Sequence, residues 1–282
     1  MSILEAILLG IIQGLTEFLP ISSTGHLTVA GKLMNLISPE HPEQWTSFIA
    51  VIQLGTLAAI LIYFWNDLLK ITIDFFKDNL FARKSFSNQS LNSKMGWYII
   101  IGSIPVVIIG LGFKDVIEGA LTKNLYVISG SLIVLGIILA IAEKLGKFKK
   151  DIKDIKWYDA IIVGFAQSLA LIPGSSRSGT TITAGIFLGF KRETAARFSF
   201  LLSVPAILGS GLLQLYEALE FIDSSGMITL IIATVASAIS GYLTIGFLLK
   251  FLRSNSTFVF VFYRILIGIV IIILIFNNLI SA

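Results

Sequence analysis

WYDAIIVGFAQSLALIPGSSRSGTTITAGIFLGF, residues 157–190, decides how this chain is folded. Basic loops flank it on both sides: 143–156 holds six Lys and Arg, and 191–197 holds three. Lys and Arg concentrate on the cytoplasmic side of membrane proteins, so both ends of the stretch lie inside. It must then cross the bilayer an even number of times. Its 34 residues fall short of the roughly 40 that two full crossings require. We therefore expect a re-entrant pair of half-helices that enters from the cytoplasm and turns at 173–179. Broken backbone at that depth is tolerated only where protein or a watery cavity surrounds it.

The composition places the rest of the chain in a bilayer as well. Of 282 residues, 55% are hydrophobic and only 13% charged, about half the charge of a soluble domain. The mean hydropathy is +0.89. Six further segments read as spans: 48–65, 97–113, 125–142, 198–216, 227–249 and 258–279. Of the 21 Lys and Arg, 16 fall in the loops 66–94, 143–156, 191–197 and 250–258. The loops 33–47, 114–124 and 217–226 are acidic and hold two lysines between them. The first set is then cytoplasmic and the second external, and each span joins one to the other. The net charge of +4 thus reflects loop placement and implies no nucleic-acid partner. The absence of cysteine excludes disulfides, thiolate catalysis and cysteine-ligated metals. The first 20 residues lack a basic start, carry Glu5 and run into Pro20, so no cleaved signal peptide is expected.

Residues 1–32 repeat the apolar–turn–apolar layout and suggest a second re-entrant pair, entering from outside. Gly10 and Gln13 match Gly164 and Gln167 at an offset of 154, and Ser22-Ser23 match Ser175-Ser176 at 153. Gly25 matches Gly179, which places a one-residue insertion between the two. The expected fold is an all-α polytopic membrane protein forming one integral membrane domain. It consists of two inverted repeats, about 1–143 and about 157–282, each a re-entrant half-helix pair plus three transmembrane helices. Both termini would be external. Such inverted repeats with broken helices are a transporter-like plan, with the site where the repeats meet.

The polar residues gather at the two turns. Arg177 is an always-charged side chain inside apolar sequence, which by default marks a function, and a guanidinium among hydroxyls suits a phosphate. Ser175, Ser176, Ser178, Thr180 and Thr181 surround it, and Ser22, Ser23 and Thr24 occupy the first turn. Each hydroxyl alone reads as a turn or helix cap; as a set beside Arg177 they resemble an anion cradle. Gln13 and Glu17 are four apart on one helix face. Glu17 is the one carboxylate expected deep in the membrane, while Gln13 could equally be a contact between helices. His26 follows the first turn and is a candidate for proton transfer. Arg264 reads as a residue near the cytoplasmic end of its span that snorkels outward.

Gln13-Gly-Leu-Thr-Glu17-Phe-Leu-Pro-Ile-Ser-Ser-Thr-Gly-His26 and Pro173-Gly-Ser-Ser-Arg-Ser-Gly-Thr-Thr181 resemble the two signature regions of bacterial undecaprenyl-pyrophosphate phosphatases. This is the family once named for bacitracin resistance, and the resemblance covers essentially the whole chain. It implies hydrolysis of a C55 isoprenoid diphosphate to the monophosphate, which recycles the lipid carrier of cell-wall synthesis. It also implies a divalent cation, Mg²⁺ or Ca²⁺, with Glu17 as a metal ligand, and a site in the bacterial inner membrane reached from the outer face. Self-association as a homodimer stays open. The first motif begins with Glu or Gln across the family, and Gln13 here leaves one carboxylate rather than two for a metal. On this reading Ser23 is the nucleophile with His26 as its base, Glu17 orients His26 or holds the metal, and Arg177 forks onto the diphosphate. Gln13, Ser22, Thr24, Ser175, Ser176, Ser178, Thr180 and Thr181 complete the substrate cradle. Direct attack by water is the variant mechanism, and a transporter or flippase of an anionic lipid is the rival function.

Overall fold

The computed structural model describes residues 1–38, 40–118, 123–220, 222 and 224–281. The external loops expected at 33–47, 114–124 and 217–226 therefore lie partly outside the described residues. Twelve α-helices run in chain order among those described: α1 (Ile3–Phe18), α2 (Ser23–Leu33), α3 (Pro42–Tyr63), α4 (Trp65–Phe76), α5 (Leu91–Gly112), α6 (Lys114–Glu118), α7 (Leu125–Leu145), α8 (Trp157–Ser168), α9 (Arg177–Phe187), α10 (Arg192–Ala218), α11 (Ser224–Ser254) and α12 (Phe258–Phe276). Helices α3, α5, α7, α10, α11 and α12 are long and apolar enough to cross a bilayer, and they coincide with the six expected spans. Their outer faces carry exposed apolar side chains such as Ile108, Leu243 and Phe262. The protein is a multi-pass helical membrane protein.

The two stretches expected to be re-entrant form the helix pairs α1–α2 and α8–α9. Helices α2 and α9 have 11 residues each. At about 1.5 Å per residue each reaches roughly half of a 30 Å hydrocarbon core. Residues 66–94, expected as a loop, contain a helix, α4, because Leu68, Ile71 and Phe75 recur on one face. That face packs on α5, where Phe75 lies against Gly96.

Ion pairs join the basic loops to one another. Lys191 pairs with Asp151 at 2.7 Å and Arg253 with Glu193 at 2.8 Å. Arg197 pairs with Asp67, and Arg192 with Glu143, whose other oxygen accepts from Thr257. All four basic loops thus meet at one end of the bundle. At the other end Lys114 pairs with Glu217, Ser47 donates to Gln214, and Lys32 donates to the Ser281 carbonyl. This grouping is the one the span count required.

The halves interlock. Helix α1 packs along α11, and α8 along α5; α3 touches α11, and α10 touches α5. The pairs α3–α10 and α7–α12 meet across the centre. Exchanging α1, α2, α3, α5 and α7 for α8, α9, α10, α11 and α12 maps these contacts onto one another. The closest approaches also correspond. A Cβ on Gly10 would lie 2.3 Å from the Ala233 carbonyl of α11, and one on Gly164 would lie 2.2 Å from the Gly102 carbonyl of α5. In lipid, where apolar burial does not drive helices together, such small-residue seams are what let them pack.

Candidate active site

Each broken helix turns on a serine with an unusual backbone. Ser22 has φ 77° and ψ 98°, and Ser176 has φ 68° and ψ 114°. Positive φ is uncommon outside glycine and clusters at functional turns. Each serine caps the helix that follows: Ser22 Oγ accepts from the Gly25 N–H and Ser176 Oγ from the Gly179 N–H. Ser22 therefore corresponds to Ser176, not to Ser175. The offset is 154 throughout, with no insertion, and Ser23 is the counterpart of Arg177. The paired Ser-Ser dipeptides suggested the other register; the caps decide it.

Glu17 organises the first cluster. Ser23 Oγ donates to Glu17 Oε2 at 2.7 Å, and Gln13 Nε2 donates to the same oxygen at 3.0 Å. All three side chains are buried. Because the carboxylate takes the NH₂ end of the Gln13 amide, Gln13 Oε1 is buried with no protein partner. His26 stands apart from Ser23. Its Nδ1 lies 2.7 Å from the Ser22 carbonyl and its Nε2 lies 2.7 Å from the Tyr263 hydroxyl. A carbonyl can only accept, so Nδ1 carries the proton, and in the neutral ring Nε2 accepts from Tyr263. The expected Ser23–His26 contact is thus absent, and the group bonded to Ser23 is Glu17.

The second cluster meets the first through Ser178, whose hydroxyl lies 3.1 Å from the Glu17 carbonyl and 3.0 Å from the Leu19 carbonyl. Ser176 Oγ lies 3.1 Å from Ser178 Oγ. Thr180 and Thr181 donate back to the Arg177 carbonyl at 3.1 and 2.7 Å. The hydroxyl hydrogens of Ser178, Thr180 and Thr181 are therefore committed to protein acceptors, as befits residues that lie inside helix α9 rather than in the turn. They shape the cradle; in this arrangement they do not face a ligand as donors.

Arg177 is the first residue of α9. Its Nη2 donates to Gln53 Oε1 at 3.0 Å, while Nη1 has no partner. It forms no ion pair with Glu17. It lines a cavity of about 420 Å³ whose polar wall includes Thr24, Thr28, Gln53 and Gln167. On this wall Thr28 Oγ1 and both amide atoms of Gln167 are buried without partners. Each such group costs on the order of 1–3 kcal/mol, and together they mark a surface built for a polar ligand. Apolar residues such as Ile49, Val106 and Leu213 make up much of the rest, and Trp45, Lys114 and Lys123 line the cavity toward the acidic-loop end.

Arg264 contradicts its sequence reading. It is 1% exposed and does not snorkel. Its guanidinium donates to the carbonyls of Pro20 at 3.2 Å, Leu132 at 3.2 Å, Ser131 at 3.3 Å, Gly174 at 3.3 Å and Ser175 at 3.0 Å. Pro20 and Gly174 correspond at the offset of 154, so one side chain fastens both turns. Broken helices leave carbonyls without helical partners, and in the membrane interior they must find donors. The signal was in the sequence, because the presumption that singled out Arg177 applies equally to a charge within the apolar run of α12.

Two buried clusters, held by one arginine and joined through Ser178, thus carry the motifs read from the sequence. Relatives match nearly the whole length of the chain. It is 62% identical over 268 residues to a protein of Syntrophobacter fumaroxidans, covering 95% of both chains. It is 50% identical to one from Chloroherpeton thalassium, again covering 95% of both. The identity to one from Myxococcus xanthus is 46%, over 97% of this chain and 89% of the relative. All three are named undecaprenyl-diphosphatase. Residues 6–270 match the family described as bacitracin resistance protein BacA, and the chain belongs to that family.

Proposed function

We propose that this protein hydrolyses undecaprenyl diphosphate to undecaprenyl phosphate and inorganic phosphate in the bacterial inner membrane, and so returns the lipid carrier to cell-wall synthesis. The observation that carries the reading is Ser23 Oγ bonded at 2.7 Å to a buried carboxylate, Glu17, with the next residue, Thr24, lining the cavity that Arg177 also lines. A transporter needs the arginine, but it has no use for a hydroxyl joined to a base. The relatives' shared name favours the enzyme as well, so the flippase is not the preferred function. Proteins related through their halves in this way resemble transporters only in plan.

Phosphoryl transfer asks for positioning and charge stabilisation. Glu17 takes the Ser23 proton as Ser23 Oγ bonds to the distal phosphorus, and the bond from that phosphorus to the bridging oxygen breaks. The bridging oxygen leaves on the lipid monophosphate, and water then hydrolyses the phosphoserine to free phosphate. Arg177, with Nη2 held by Gln53, donates from Nη1 to a non-bridging oxygen and stabilises its growing charge. His26, fixed between the Ser22 carbonyl and Tyr263, holds the start of α2 in place. In the variant mechanism, water deprotonated by Glu17 attacks directly.

A divalent cation fits the first cluster. Gln13 Oε1 is an orphaned buried oxygen one helical turn from the Glu17 carboxylate, and hard oxygens are the donors Mg²⁺ and Ca²⁺ take. Among the described residues no group of three His, Cys, Asp or Glu gathers, so phosphate oxygens and water would complete the shell. When bound, the cation would supply charge neutralisation for the diphosphate. We place the cavity mouth at the outer face, since Trp45, Lys114 and Lys123 belong to the acidic-loop end. The test is phosphate release from undecaprenyl diphosphate by the purified protein in detergent, with and without a chelator. No release under either condition would falsify the reading.

A further inference from the structure

We propose that Gln167 is a substrate-binding residue that holds the phosphate remaining on the isoprenoid, with the chain running from there into the groove between α8 and α5–α6. The proposal rests on the phosphatase reading above and names the part of the site that reads the lipid ester.

Gln167 is fully buried at 0% exposure, yet neither amide atom has a partner. It lines the same cavity as Arg177, whose Nη1 is also unpartnered. Its counterpart in the other half is Gln13, whose amide donates to Glu17 four residues on. At the corresponding position beyond Gln167 stands Leu171, which can accept nothing. The second half has kept the amide and lost its internal acceptor, so the donor and acceptor of Gln167 are left for a ligand.

The direction of the lipid follows from Leu171. This residue and Ile117 line both the cavity and an adjoining apolar groove of about 620 Å³. The groove faces outward: Phe113 and Phe165 on its walls are each 59% exposed. The groove joins the cavity at Leu171 and Ile117, Gln167 and Arg177 line that cavity, and the residue after Arg177, Ser178, bonds the Glu17 carbonyl. A prenyl diphosphate laid along this path places its ester phosphate at Gln167 and its distal phosphate toward Ser23. Gln167 Nε2 donates to a non-bridging oxygen of the ester phosphate.

Gln167→Leu removes both amide atoms at similar volume. With purified protein and undecaprenyl diphosphate, KM should rise about tenfold or more, as for the loss of a hydrogen bond to a charged group. The kcat should stay within about threefold, since the ester phosphate is bound alike before and during transfer. Inhibition by farnesyl monophosphate should weaken in parallel, while inhibition by inorganic phosphate should not. An unchanged KM, or a fall in kcat alone, overturns the proposal; so does unchanged inhibition by farnesyl monophosphate. Should Gln167→Leu not accumulate in folded form, Gln167→Glu decides instead. Weaker farnesyl monophosphate binding, read from the ligand-dependent rise in unfolding temperature, supports the role, and undiminished binding overturns it. That binding measurement needs no turnover, so it separates failure of this assignment from failure of the phosphatase reading.

Discussion

At the scale of single residues, the arrangement divides into a reacting pair and a binding arginine. Ser23 and Glu17 share a hydrogen bond and, on our reading, one proton. Ser23→Ala and Glu17→Gln should each lower kcat by about 10²- to 10⁴-fold. The double variant should be little worse than the worse single, because residues acting as a unit are strongly non-additive. If water attacks directly, Ser23→Ala keeps substantial activity and Glu17→Gln does not. His26→Ala should cost less than either, since no bond joins it to Ser23; steady-state phosphate release ranks the three. Arg177→Lys should lower kcat/KM by about 10²- to 10³-fold with no loss of folded protein. An ammonium keeps the charge but cannot hold Gln53 with one nitrogen and a phosphate oxygen with another. Near-normal turnover in Arg177→Lys would show that charge alone matters.

At the scale of elements, the decisive features are the seams along α1–α11 and α8–α5. Gly10 and Gly164 sit where a methyl group would strike a carbonyl at 2.3 and 2.2 Å. Gly10→Ala and Gly164→Ala should each destabilise the protein by about 1–3 kcal/mol, the usual cost of overpacking a tight contact. Gly112→Ala, with nothing within 4 Å of the added carbon, is the control and should change little. Thermal unfolding in one detergent reads all three. Equal loss at the two seams follows from their equivalence; tolerance at both would mean that the helices can separate freely.

At the scale of the whole molecule, the question is which end faces the cytoplasm. Ion pairs gather the four basic loops at one end, and from the positive-inside bias we infer that this end faces the cytoplasm. We infer that the second half is inverted relative to the first, since three spans separate corresponding re-entrant pairs. The chain has no cysteine, so single cysteines report cleanly. A cysteine at Ser87 should react with an impermeant reagent only from the cytoplasm, and one at Ser281 only from outside. Labelling of both from the same side would break the parity and remove the inversion.

The sequence by itself determined the spans and the broken helices, because run length, loop charge and the Pro and Gly at the turns are local properties of the chain. It determined the motif residues too: a charge in apolar sequence is conspicuous wherever the fold takes it. It did not determine how the two halves register. Identical Ser-Ser dipeptides fit one residue out of step, and only the caps made by Ser22 and Ser176 distinguish the two alignments. Nor could it say what each polar group touches. Ser23 lies three residues from His26 and six from Glu17, yet its bond goes to Glu17, because the turn folds α2 back beside α1. Arg264 reads as a peripheral charge until α12 packs on α7 and its guanidinium reaches the carbonyls of both turns. Spacing along one helix fixes a face; which carbonyl waits opposite that face depends, for Arg264 and Ser178, on segments more than a hundred residues away, and only tertiary packing decides it.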